Sequence, residues 1–256
     1  MGIRHIIKLT PFLLSDGGIS PRGKESWTIY FRNSDLAVIK EFRKTLFGCI
    51  KKLGAIQKRK DVTYMVKVHS KELGEELLKF SPSYRTSNCK RHPKCPALHG
   101  KRGSCKICTH EKQKRENYPS SHLPKLVFKD KEIATYFLKI YMTCDGGISV
   151  TSSKTKYPFL IRKLFIAVTH QNLRNDLTRL LKNLGFDPKV YPDQIRLTGI
   201  SDIAKFKKEI KFIKYSKIGK DSKKLCGYEK NFILEKVLES YKKPKDLINF
   251  LVEKSG

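Results

Sequence analysis

The apolar positions of this chain follow the same order twice. In the first half, Phe12, Leu13 and Leu14 read as a short helix, with Thr10 as N-cap and Pro11 at the first helical position. A strand over 27–31 follows. Polar Asn33, Ser34 and Asp35 then lead into helical spacing through Leu36, Val38, Ile39, Phe42 and Leu46, with a stop at Leu53-Gly54. A strand over 64–68 and a helix over 70–80 complete the unit. In the second half a helix over 131–144, strands over 164–168 and 194–197, and helices through Leu173, Leu177, Leu180 and Leu181 (stopping at Leu184-Gly185) and over 201–212 repeat that order. The reading is an α+β fold of two tandem αββαββα units.

The strongest repeat is a turn. Asp16-Gly17-Gly18-Ile19-Ser20 recurs unchanged as Asp145-Gly146-Gly147-Ile148-Ser149. The glycines are expected to turn the chain sharply through positive φ. Each Asp then sits at the C-terminal end of a helix, where the dipole disfavours negative charge. One Asp-Gly pair alone would be an ordinary turn. Two at equivalent places in a duplicated unit put two carboxylates near a pseudo-two-fold axis, where a shared cation relieves their repulsion. Mg2+ or Mn2+, held by carboxylates plus phosphate oxygens, suits phosphodiester chemistry.

Charge points the same way. The 256 residues include 54 Lys and Arg against 24 Asp and Glu, a formal net charge of +30, while 39% of the residues are hydrophobic, enough for a core. A Lys-rich surface of thermophile type would bring matching Glu, which is scarce here. A polyanionic partner fits better. No apolar run approaches the roughly 20 residues of a membrane span, and residues 1–8 lack a signal-peptide pattern. The expected location is intracellular, cytoplasmic, with the seven cysteines reduced or metal-bound.

With their neighbours, the two turns resemble a known motif. Leu9-Thr10-Pro11-Phe12-Leu13-Leu14-Ser15-Asp16-Gly17 and Leu138-Lys139-Ile140-Tyr141-Met142-Thr143-Cys144-Asp145-Gly146 are similar to two copies of the LAGLIDADG motif. The resemblance extends to the repeated strand–helix order. It implies a monomeric, two-motif homing endonuclease in which the motif helices pack side by side, Asp16 and Asp145 bind the catalytic cation, and the sheets form a saddle over a long, asymmetric double-stranded DNA target. Lys217 and Arg85 are the candidates for stabilising the transition state or positioning water. Thr28, Tyr30, Arg32, Thr151, Ser153, Thr169 and Arg196 are candidates for reading bases, with Lys214 and Lys220 on phosphates. A non-cleaving intron maturase, with intron RNA as a partner, or a DNA-binding regulator stays open as the alternative. Two retained acids favour the nuclease.

Between the halves lies a basic segment rich in Cys and His. Cys105-x-x-Cys108 has zinc-knuckle spacing, and Cys89 and Cys95 complete a four-thiolate set. His92 or His99 in place of Cys95 remains open, as does a flexible linker with free thiols. Cys49, Cys144 and Cys226 read as core. The resulting organisation is a first half over 1–82, an insertion over 83–124, a second half over 125–226, and C-terminal helices over 227–256 that pack on the second half.

Overall fold

A computed structural model describes residues 2–22, 26–84, 121–152, 159–220, 222 and 224–252. The first half runs α1 (Ile3–Ile7), α2 (Thr10–Leu14), β1 (Gly17–Arg22), β2 (Ser26–Asn33), α3 (Leu36–Ile50), β3 (Ile56–Lys58), β4 (Tyr64–His69) and α4 (Lys71–Phe80). The second half opens with a 3-10 turn (Lys125–Phe128). It continues with α5 (Lys131–Cys144), β5 (Gly146–Ser152), β6 (Leu160–Ala167), α6 (Gln171–Asn183), β7 (Lys189–Val190), β8 (Gln194–Leu197) and α7 (Ile200–Glu209), followed by α8 (Lys230–Glu239) and α9 (Pro244–Val252). Each half holds one four-stranded antiparallel sheet, ordered β1-β2-β4-β3 and β5-β6-β8-β7. The repeated order is the expected duplication.

Each strand has a dry side and an open side. In β2, Ile29 and Phe31 are buried while Tyr30 and Arg32 point out. In β6, Leu160, Leu164 and Ile166 are buried and Ile161 and Ala167 exposed. This period-two alternation puts the helices on one face of each sheet and leaves the other free. In the first half the dry side is an aromatic cluster. The Phe12 ring lies 5.2 Å from Phe31 and 5.4 Å from Phe42, centroid to centroid. The two halves meet along α2 and α5. All five residues of α2 are buried, and α5 buries most of its length, including Phe137, Ile140 and Tyr141. The Thr45 hydroxyl and Tyr136 hydroxyl, 2.9 Å apart, join α3 to α5 across this seam.

Three local expectations are corrected. Thr10 is the first residue of α2, and Leu9 is its N-cap. The Thr10 hydroxyl donates to Ile7 O at 2.7 Å, and Ile7 O is the carbonyl that the missing N–H of Pro11 leaves without its helical donor. That exchange splits the N-terminal segment into α1 and α2. Next, α3 ends at Ile50 with Lys51 left-handed (φ 55°), three residues before Gly54. Gly54 is instead pressed against Val66. The other stop signal holds: Gly185 has φ 75°, and Phe186 N and Gly185 N donate to Leu181 O and Lys182 O. Finally, Cys49 is buried and Cys144 half-buried, but Cys226 is exposed on a turn.

The C-terminal helices pack on the second half. α8 lies against β5 and α7. Arg162 of β6 donates to Ser240 Oγ and Ser240 O at 2.7 and 2.8 Å, and its guanidinium stacks 4.4 Å from the Tyr241 ring centroid. Among the described residues, no helix is long and apolar enough to cross a membrane.

Candidate active site

Each motif helix delivers one acid to a shared cleft. Asp145 closes α5, its N–H bonded to Tyr141 O at 2.9 Å, and Asp16 follows α2 by two residues. Both acids are tied to the neighbouring strand in the same way. Asp16 O accepts from Arg32 N, and Asp145 O from Ala167 N.

The glycines behind the acids work by closeness, not by handedness. None of Gly17, Gly18, Gly146 and Gly147 has positive φ, which corrects the turn expected from sequence. Gly17 and Gly146 start β1 and β5 where strand and helix backbones nearly touch. A Cβ on Gly146 would fall 2.6 Å from Met142 O and 2.8 Å from Phe165 O, and one on Gly17 would fall 2.8 Å from Tyr30 O and 2.9 Å from Phe12 O. The second glycine of each pair lies under an aromatic side chain, Tyr30 over Gly18 and Phe165 over Gly147.

The cleft has a volume of about 950 Å3 and is lined from both halves, by Asp16, Asn33, Asp35, Asp145, Lys217 and Lys230 among others. The two acids are not electrostatic twins. Burial raises the Asp16 carboxyl above its usual range, while Asn33, whose Nδ2 donates to Asp16 Oδ2 at 2.6 Å, and nearby Lys230 hold it back. Burial and then the charge of Asp16 push Asp145 up to about 8, opposed by the Tyr141 hydroxyl and Lys230. Lys230 is buried, and its Nζ donates to Thr143 O at 2.6 Å and Gly146 O at 3.1 Å. Burial lowers its pKa against the pull of the surrounding anions.

This donor set fits a hard divalent cation that completes its shell with water and phosphate. Two carboxylates face an open cleft, and burial together with the charge of Asp16 raises the pKa of Asp145, a shift that a nearby cation would relieve. Among the described residues, no group of three or more Cys, His, Asp and Glu side chains is arranged to hold a metal ion unaided.

The residues singled out from sequence divide into four groups, which share Arg32 and Thr151 between the first two. Asp16, Asp145, Lys217, Arg32 and Thr151 all line the cleft. Thr28, Tyr30, Thr151 and Arg196 lie on the open sides of their sheets with Arg32. Thr28 is 3.0 Å from His69 Nδ1, Arg32 pairs with Asp61 and donates to Thr63 Oγ1, and Arg196 stacks on Tyr191. Thr169, Lys214 and Lys220 are exposed but outside the cleft lining, Thr169 beyond the end of β6 and Lys214 over the Tyr215 ring. Arg85, Ser153 and the four cysteines Cys89, Cys95, Cys105 and Cys108 lie outside the described residues.

Sequence reasoning missed Asn33, Tyr141, Lys224 and Lys230. Asn33 and Asp35 carried a signal, an Asn-x-Asp before a helix, but one that reads first as a cap. Asp35 does cap α3, accepting from Ala37 N, and its second oxygen accepts from Lys217 N at 2.6 Å, joining the halves at the cleft rim.

Comparison with known proteins agrees with this fold. Residues 132–211 match the family model of a LAGLIDADG-like domain. The fold is shared with solved LAGLIDADG structures over nearly the whole chain. The meganuclease I-AabMI bound to uncleaved DNA is 10% identical with a TM-score of 0.57, covering 98% of each chain. I-CpaMI bound to uncleaved DNA is 12% identical with a TM-score of 0.54, again covering 98% of each. The homing endonuclease I-SmaMI bound to cleaved DNA is 14% identical with a TM-score of 0.53, covering 98% of this chain and 96% of that one. None of the curated proteins compared with the chain matches it.

Proposed function

We propose that this chain, whose two halves carry the LAGLIDADG fold, is a site-specific endonuclease that cuts both strands of a long duplex DNA target. The observation that carries the reading is the pair Asp16 and Asp145, one from each motif helix, in a single cleft walled by lysines. The free faces of the two sheets and the net charge of +30 support a duplex partner. Relatives of the same fold, I-SmaMI and I-AabMI, are described bound to DNA.

Asp16 and Asp145 would hold Mg2+ or Mn2+, which when bound supplies Lewis acidity and a water more easily deprotonated than bulk water. The chain's own groups do the positioning. Asn33 fixes one oxygen of Asp16, leaving the other for the cleft. Tyr141 steadies Asp145 from within α5. Lys217, which lines the cleft and whose backbone is held by Asp35, would supply positive charge where charge grows on the scissile phosphate. Arg85, outside the described residues, is proposed for the same role. Thr28, Tyr30, Arg32, Thr151, Ser153, Thr169 and Arg196 would read the target, and Lys214 and Lys220 would meet backbone phosphates. A structural zinc ion on Cys89, Cys95, Cys105 and Cys108 is a separate proposal, retired by finding no zinc in protein purified without chelator.

The test is incubation with a randomised duplex library and Mg2+. Recovery of one cut sequence of about 20 base pairs, lost in Asp16→Asn and Asp145→Asn, supports cleavage. Tight sequence-specific binding with no cutting in Mg2+ or Mn2+ assigns the fold to a binding role instead.

A further inference from the structure

We propose that Lys230 is a built-in counter-cation of the acid pair that weakens divalent-ion binding in the free protein, so that a full metal site forms only when a DNA phosphate adds its charge. The inference rests on the reading of Asp16 and Asp145 as metal-holding groups.

Three observations carry it. First, Lys230 is placed and not merely nearby. It is the first residue of α8, its own N–H bonds Ser216 O at 2.8 Å, and the side chain runs inward past Phe212, with Nζ 5.5 Å from the ring centroid, to the carbonyls of Thr143 and Gly146. These two carbonyls flank Asp145, so the ammonium sits at the negative end of α5. Second, it makes no ion pair with any carboxylate among the described residues, although its charge acts on Cys144 and on Asp35, Asp16 and Asp145. A lysine that serves a salt bridge closes on one partner. This one is held by backbone and shares its field among several acids. Third, it forms part of the wall of the same cleft as both acids.

A capping role alone accounts poorly for this arrangement. Two carbonyls need donors, not a full charge, and a buried charge costs several kcal/mol unless anions offset it. Here the acids offset it. Sharing that wall, Lys230 repels any cation that approaches those acids, because like charges interact more strongly at the reduced dielectric of such a site than in water. A phosphate entering the cleft restores net negative charge, and the balance then tips towards metal. The acids are thereby kept assembled without a resident ion.

Mn2+ binding to the DNA-free 256-residue chain, read by electron paramagnetic resonance, tests this without any measurement of cleavage. Lys230→Gln keeps an N–H donor for the carbonyls and removes the charge. It should bind Mn2+ about tenfold tighter than the natural protein or more, and Lys230→Arg should stay within about twofold of it. Lys230→Met, which keeps the apolar stem, should follow Lys230→Gln. Equal or weaker Mn2+ binding by folded Lys230→Gln and Lys230→Met overturns the inference and leaves the nuclease reading standing. If the Mn2+ bound by Lys230→Gln is not abolished by adding Asp16→Asn or Asp145→Asn to it, the metal reading falls and this inference with it. Should both neutral variants lose their circular-dichroism signal, its recovery on adding Mn2+ supports the inference, since the ion then takes the ammonium's place, and no recovery overturns it.

Discussion

Asn33 Nδ2 donates to Asp16 Oδ2 at 2.6 Å, whereas the strand position equivalent to Asn33 in the second half is Val168, which has no donor to offer Asp145. The duplicated acids therefore have different supports, an amide for one and the Tyr141 phenol for the other. Asn33→Val, which copies the second half into the first, is expected to lower divalent-dependent cleavage about 10- to 100-fold, the usual effect of removing a partner of a metal-binding carboxylate. Steady-state rates on the selected target check this. A rate within twofold of the natural protein would show that Asp16 needs no orientation.

The raised pKa of Asp145 makes the stability of the metal-free protein depend on pH. Its folded value of about 8 lies above the ordinary value of 3.8, so between these limits the folded state holds a proton that the unfolded chain has released. Stability is then lost as pH rises from about 4 to about 8 and levels off beyond. Asp16, raised in the same direction, adds to the trend. The melting temperature without divalent ions should be lower at pH 8.5 than at pH 6, and Asp145→Asn should flatten much of the slope. Because the cation competes with that proton, Mn2+ affinity should tighten over the same interval.

Gly146→Ala and Gly147→Ala separate close backbone approach from simple turn preference. The first places a methyl 2.6 Å from a helix carbonyl, and the second meets the Phe165 ring at 3.0 Å, which can tilt away. Gly146→Ala is expected to cost about 1–3 kcal/mol and Gly147→Ala less. Urea unfolding curves of the two variants decide, and equal midpoints would contradict the geometry.

Arg162→Ala should loosen the C-terminal helices before it affects the sheet. The guanidinium makes three hydrogen bonds, to Ser240 Oγ, Ser240 O and Leu160 O, besides its contact with Tyr241. Its loss leaves the Ser240 groups without that partner, at about 1–3 kcal/mol. Hydrogen exchange should speed up across α8 and α9 while β5 and β6 keep their protection. Because α8 carries Lys230, the variant should also change Mn2+ binding.

Much of this architecture is legible in the chain because duplication states each element twice. The period-two strand patterns, the stop at Gly185 and the paired aspartates depend on neighbours within a few residues, and such signals survive in sequence. What was not legible depends on distance along the chain. Lys230 meets Gly146 across 84 positions, and in sequence Tyr228-Glu229-Lys230-Asn231 looks like the polar start of another helix. The role of the glycines was misread for a related reason. A Gly-Gly pair announces freedom of φ, but the need here is set by carbonyls of a helix and a second strand that only the fold brings near. Thr10 shows the same limit at short range, since its hydroxyl serves the last carbonyl of the preceding helix α1 and not the turn that follows.

Asp35 has one further consequence. One carboxylate oxygen caps α3 of the first half while the other receives the backbone N–H of Lys217 from the second. The rim of the cleft is thus shared property of the two repeats, and they are not interchangeable modules. A chimera that replaced residues 1–82 with the corresponding half of another duplicated protein would inherit both acids yet lose the anchor of Lys217, unless the incoming half also brought a carboxylate at the Asp35 position. Compatibility between halves can be judged at this one residue before any chimera is made.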